Sequence, residues 1–184
     1  MSEQQQKVVI IGMGNVLMQD EGIGVRVVEE LENRYHVPDG VDIIDGGTTG
    51  MGLLEPIREC DALVVADAVN TGAPVGSLVR IANDDIPAFF QTKLSNHQLG
   101  LSDILGLLTL QGQKPGHIAI IGMVPHSLEQ KLGLTAEAEQ AIDTMIDMIL
   151  AELDDMGIEL KPRAKRLTGH WRKEAEWEAL HLCA

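Results

Sequence analysis

Residues 8–24 read Val-Val-Ile-Ile-Gly-Met-Gly-Asn-Val-Leu-Met-Gln-Asp-Glu-Gly-Ile-Gly. The opening β-branched run, broken by glycines at 12 and 14, is a first strand that leaves through a tight loop. From about residue 21 the apolar positions take helical spacing at Gly24, Val27, Val28, Leu31 and Tyr35, while Arg26, Glu29, Glu30 and Asn33 share the opposite face. The unit is strand, tight loop, amphipathic helix. G-x-G after a first strand suggests a dinucleotide site, but the third glycine of G-x-G-x-x-G falls on Leu17. Asp20 and Glu21 also stand where a helix N-terminus would present bare N–H groups to a pyrophosphate, which argues against that reading. Asp20 reads as a helix cap. Glu21 falls beside Val28 on the helical wheel, at the edge of the apolar face and toward the sheet, so it is a candidate functional acid as well as a capping one.

Working outward, Val41 to Asp45 alternates and ends at Gly46-Gly47, a second strand whose terminal acid meets a flexible loop. Residues 50–58 read as a short helix. Ala62-Leu63-Val64-Val65-Ala66 is a continuous apolar run ending in Asp67, the pattern of a central parallel strand covered on both faces. Gly72, Pro74 and Gly76 then turn the chain into Leu78-Val79-Arg80-Ile81, too soon for a crossover helix, so this strand is antiparallel and near a sheet edge. Residues 84–96 read as a loop or lid carrying Phe89 and Phe90. Ser95 can cap a helix through Leu99, Ile104, Leu105 and Leu108, with His97 in its first turn, where the helix dipole favours a neutral imidazole able to act as base or ligand.

Ile118 to Met123 is another buried strand, leaving through Val124-Pro125-His126. Leu134-Thr135 opens a last main helix that turns Ala138, Ile142, Met145, Ile149 and Leu153 inward and stops at Gly157. His36, His117, His170 and His181 look incidental. Strands alternating with helices make an α/β three-layer sandwich with helices on both faces of a mostly parallel sheet.

The 184 residues are 45% hydrophobic, enough for one domain with a proper core. The formal charge of −14 divides into −17 over residues 1–160 and +3 over residues 161–184. Hence the chain divides into a domain at 1–160 and a basic, amphipathic C-terminal tail at 161–184 that carries Trp171 and Trp177. The tail either docks on the acidic body or captures a partner. An acidic body of this kind repels polyphosphate, which argues against nucleic acid and anionic membranes as partners. Cys60 and Cys183 form no C-x-x-C, and Cys60 ahead of a strand reads as a small buried hydrophobe. No signal-peptide pattern or bilayer-length apolar run is present, so the expectation is a soluble cytoplasmic protein. A monomer is the default, because no coiled-coil or repeated interface pattern is visible.

In open α/β sheets, ligands bind beyond the carboxyl ends of the strands. Glu21, Asp45 and Asp67 emerge at that end, and the helix of His97 can start above them. Carboxylates with one imidazole form an oxygen and nitrogen ligand set for a borderline divalent ion such as Ni²⁺, Zn²⁺ or Mn²⁺. H-E-x-x-H and G-x-S-x-G are both absent.

Four stretches together, G-M-G-N-V-L-M-Q-D-E-G-I-G, D-G-G-T-T-G at 45–50, A-D-A at 66–68 and S-N-H-Q-L-G-L-S-D-I-L at 95–105, resemble in order and spacing the hydrogenase maturation endopeptidases. The resemblance runs over about residues 7–160. It implies a five-stranded twisted sheet and an endopeptidase that trims the C-terminal extension of a [NiFe] hydrogenase large-subunit precursor after nickel insertion. Glu21, Asp67 and His97 match the family's metal-binding positions, and Asp45 matches a further acid near its cleft. The nickel is implied to be carried by the substrate, on its cysteine thiolates, and to be recognised there by Glu21, Asp67 and His97. The ion can polarise the carbonyl or activate water while Asp45 shuttles protons. An aspartic-type mechanism with two carboxylates sharing a proton is the rival chemistry. A nickel-dependent chaperone or binding module that docks on the precursor without proteolysis would use the same ligands. His126 stands where relatives often carry an acid, as an extra ligand or a loop residue, and the tail is longer than in many relatives.

Overall fold

The computed structural model describes residues 6–91 and 96–181, apart from the side chains of Asn96, His97, Leu99 and His181. Ser95 and Cys183 lie outside the described residues. In chain order the elements are β1 (Val8–Met13), α1 (Ile23–Arg34), β2 (Tyr35–His36), β3 (Val41–Gly47), α2 (Leu54–Arg58), β4 (Ala62–Ala68), β5 (Leu78–Ala82), α3 (Ile86–Phe89), α4 (Asn96–Gln111), β6 (His117–Met123), α5 (Ala136–Asp155), β7 (Lys161–Pro162) and α6 (His170–His181).

The main sheet has five strands in the order β3-β1-β4-β6-β5. Strands β3, β1, β4 and β6 are parallel, and β5 pairs antiparallel with β6 at the edge, as the short 69–77 connection requires. Strand β4 is central, and every residue from Ala62 to Ala68 is buried. Alternation along the strands divides the core in two. Val8, Ile10, Ala62, Val64 and Ala66 face α1 and α5, whereas Val9, Ile11, Leu63 and Val65 face α2, α3 and α4. This is the three-layer α/β sandwich with helices on both faces.

Helix α1 can lie close to the sheet because Gly24 carries no side chain. A Cβ there would stand 2.1 Å from the Ala66 carbonyl oxygen and 2.3 Å from that of Met13. Helix α5 begins at Thr135, whose hydroxyl accepts the Ala138 N–H at 3.2 Å, and buries the five inward residues named above.

Four features differ from the sequence reading. The segment at Glu21 is not the start of α1 but a 3-10 turn, Gln19–Gly22, so the wheel that set Glu21 beside Val28 does not apply. Residues 83–89 are not a loop or lid: a 3-10 turn leads into α3, with proline in its first turn and Phe89 buried in the core. Tyr35 is not a helical position but pairs, in β2, with β7 to form a second, two-stranded sheet. Finally, Arg26, Glu30 and Asn33 on the expected polar face of α1 are buried: the tail lies over Glu30 and Asn33, and Arg26 pairs with Glu29 and with Glu139 of α5.

Candidate active site at the carboxyl end of the sheet

The loops leaving β1, β3, β4 and β6 meet at one end of the sheet. Asp67 lies near the end of β4, in register with Gly122 of β6. It is 1% exposed, and Gln98 donates its amide N–H to Asp67 Oδ2 at 2.8 Å. The same amide donates to the Ala68 carbonyl at 2.9 Å. Gln98 is itself buried in the first turn of α4. It therefore orients the carboxylate and pins the start of α4 over it, bringing the backbone of His97 to the same place. A buried carboxylate at a strand end is costly to keep unless its oxygens are bonded, and Gln98 supplies part of that bonding. Gln98 lay inside the quoted motif S-N-H-Q, but its role depends on a contact 31 residues away.

Glu21 is half-buried in the 3-10 turn after β1. The turn is held from several sides. Gly14, at φ +126°, packs so closely that a Cβ on it would stand 1.7 Å from the Glu21 carbonyl oxygen. Gln19 and Asp20 donate their backbone N–H groups to the carbonyls of Lys131 and Ser127 at 3.0 and 3.2 Å. Asp20 is fully buried and caps nothing in its own helix, contrary to the sequence reading. Its carboxylate instead accepts the N–H groups of His126, Ser127 and Thr135 at 3.0, 3.2 and 2.8 Å and the Thr135 hydroxyl at 2.9 Å. Asp20 thus ties the Glu21 turn to the loop after β6 and to the start of α5. His126 is exposed on that loop, its ring against Gly76.

Asp45 sits level with Gly12 near the end of β3 but points to the other side of the sheet. It shares strand parity with Val41 and Ile43, on the α1 face, whereas Asp67 shares parity with Leu63 and Val65, on the α4 face. Its Oδ1 accepts the Gly47 N–H and its Oδ2 the indole N–H of Trp171, each at 3.0 Å. The structure therefore gathers Asp67, Gln98 and the start of α4 on one face, keeps the Glu21 turn at the same end of the sheet, and turns Asp45 away toward the tail. Among the described residues no group of three or more His, Cys, Asp or Glu side chains is spaced to hold a metal ion.

A sequence model described as hydrogenase maturation protease matches residues 25–152. The chain is 43% identical over 159 residues to the hydrogenase 2 maturation protease of Escherichia coli, covering 85% of this chain and 96% of that one.

The chain belongs to the hydrogenase maturation protease family.

The protease is also 38% identical over 168 residues to the hydrogenase expression/formation protein HupD of Bradyrhizobium diazoefficiens, covering 90% of this chain and 88% of the relative. In three dimensions it superimposes on the hydrogenase maturating endopeptidase HybD from E. coli with a TM-score of 0.83 at 42% identity, over 86% of this chain and 99% of that one. No described helix of the protease is long and apolar enough to cross a membrane.

Proposed function

We propose that this protease removes the C-terminal extension of a [NiFe] hydrogenase large-subunit precursor once nickel has been inserted, reading the nickel in the substrate through Glu21, Asp67 and His97. The observation that carries the proposal is the Asp67 carboxylate, buried at the end of the central strand and held by Gln98. A preset, desolvated oxygen donor suits a borderline divalent ion presented from outside better than it suits a surface role. Glu21 supplies a second oxygen donor on a turn braced by Asp20, and His97 an imidazole on the first turn of α4. These groups bind the substrate's nickel and so align the peptide bond next to it, which makes cleavage depend on metal loading. Nickel held in the substrate would supply Lewis-acid polarisation of the scissile carbonyl, while the half-buried Glu21 would take the proton of the attacking water and hand it to the departing amine. Asp45, on the opposite face, is assigned to the approach of the precursor chain.

Substituting Glu21→Gln and Asp67→Asn separates this chemistry from two carboxylates sharing a proton. Parallel loss of precursor binding and cleavage is expected if the side chains are nickel ligands. Loss of cleavage with binding intact would favour the paired carboxylates.

A further inference from the structure

The polar side of α1 is covered by the chain's own C-terminal segment. Arg166 and Arg172 converge on Glu30, Leu167 donates its N–H to the Asn33 carbonyl at 3.0 Å, and Trp171 donates its backbone N–H to Glu29 at 2.7 Å and its indole N–H to Asp45 at 3.0 Å. The cover fits imperfectly. Beneath it, Asn33 is 8% exposed with its amide nitrogen unpartnered, and Arg26 Nε and Glu29 Oε2 form only a long ion pair at 3.4 Å. Clefts of about 360 and 210 Å³ open on either side of the Trp171–Asp45 contact. A buried amide left unpaired and a stretched ion pair weaken the closed arrangement, because both regain closer partners when it opens.

The covered face carries Glu29, Glu30 and Asp45, with the exposed Glu32 at its margin, against Arg26 and Arg34, so it keeps an acidic excess, and it belongs to a body of charge −17. It also runs into the candidate site: the Gly14 N–H donates to the Gly47 carbonyl at 2.8 Å, two residues beyond Asp45, and Gly14 packs on the Glu21 carbonyl. We propose that the acidic face of α1, ending at Asp45, docks a basic, Lys- or Arg-bearing segment of the precursor, and that residues 166–172 hold this face in the free protease as a displaceable placeholder. The charge of the face selects the partner, and the unpartnered Asn33 amide, the long Arg26–Glu29 pair and the open clefts make the placeholder exchangeable. The inference rests on the precursor being the substrate.

The test uses the full chain. Its two tryptophans give two indole N–H resonances, assigned with Trp171→Phe and Trp177→Phe variants. Saturation with nickel-loaded precursor should move the Trp171 resonance and leave that of Trp177 in place. An Arg166→Gln/Arg172→Gln double variant, checked for folding by its melting temperature, should bind precursor about three- to ten-fold tighter with kcat unchanged. A Trp171 resonance unmoved at saturation, or weaker binding by a folded double variant, overturns the proposal. Trimming with Trp171 unmoved would sink the docking surface alone. Bound precursor that is never trimmed would sink the proteolytic reading and leave the Trp171 result to judge the surface, and no binding at all would sink both.

Discussion

Asp20 and Thr135, 115 residues apart, are joined twice: the Thr135 N–H donates to Asp20 Oδ1 at 2.8 Å and its hydroxyl to Asp20 Oδ2 at 2.9 Å. The same hydroxyl caps α5, so one buried carboxylate couples the turn of Glu21 to the start of a 20-residue helix. Replacing Asp20 by Ala leaves four donors without their acceptor in a dry site. The expected cost is about 3–5 kcal/mol, a fall of roughly 6–20 °C in Tm, read by thermal or urea unfolding.

Gly24→Ala tests the close approach of α1 to the sheet. A methyl group at 2.1 Å from the Ala66 oxygen cannot be accommodated without moving α1 away from β4. A loss of about 3 kcal/mol in a urea titration is expected.

Gln98→Leu tests the orientation of Asp67. Loss of the amide that bonds Asp67 Oδ2 should lower kcat/KM for the loaded precursor by about 10- to 100-fold. Glu21 and His97 remain, so residual trimming that still depends on nickel is expected, measured by initial rates on loaded and unloaded precursor.

Much of the fold was legible because it follows from local pattern. The apolar run at 62–66 can only be a strand covered twice, and the short 69–77 connection forces β5 antiparallel. The candidate site was legible as far as strand ends go: Asp45 and Asp67 both emerge where expected. What the chain could not reveal locally is which face each acid takes, since that depends on pairing register. Asp20 resembled a cap because its partners lie 106–115 residues downstream. Glu30 and Asn33 resembled a solvated face because what covers them is 130 or more residues away in the tail, and Arg26 because its second partner, Glu139, stands on α5. His117, which looked incidental, bonds Glu152 of α5 at 3.0 Å from the start of β6, a pairing no spacing rule anticipates.

That pairing gives a pH dependence. Burial opposes ionisation of Glu152, but hydrogen bonds from Arg80 and His117, aided by their charge, outweigh it and hold the carboxyl below its ordinary value of 4.5. Because the folded value is depressed, the stabilisation is complete above about pH 4.5 and is lost as pH falls through the folded value. Arg80 is 47% exposed, so screening limits the effect. Glu152→Gln should cost about 1–2 kcal/mol at pH 7, and the difference from the parent should shrink in urea titrations below pH 4.5.

Cys60 is buried, and its thiol is pushed up to about 11, chiefly by that burial. At pH 8 a maleimide should leave Cys60 unmodified in the folded chain and label it after unfolding, read by peptide mass mapping.

The most direct measurement is the intact mass of a cognate hydrogenase large-subunit precursor after incubation with this protease, once with the precursor nickel-loaded and once without nickel. Loss of a C-terminal peptide from the loaded precursor alone is the expected result. Equal trimming of both, or tight binding of loaded precursor with no loss of mass, would contradict a protease that reads nickel in its substrate.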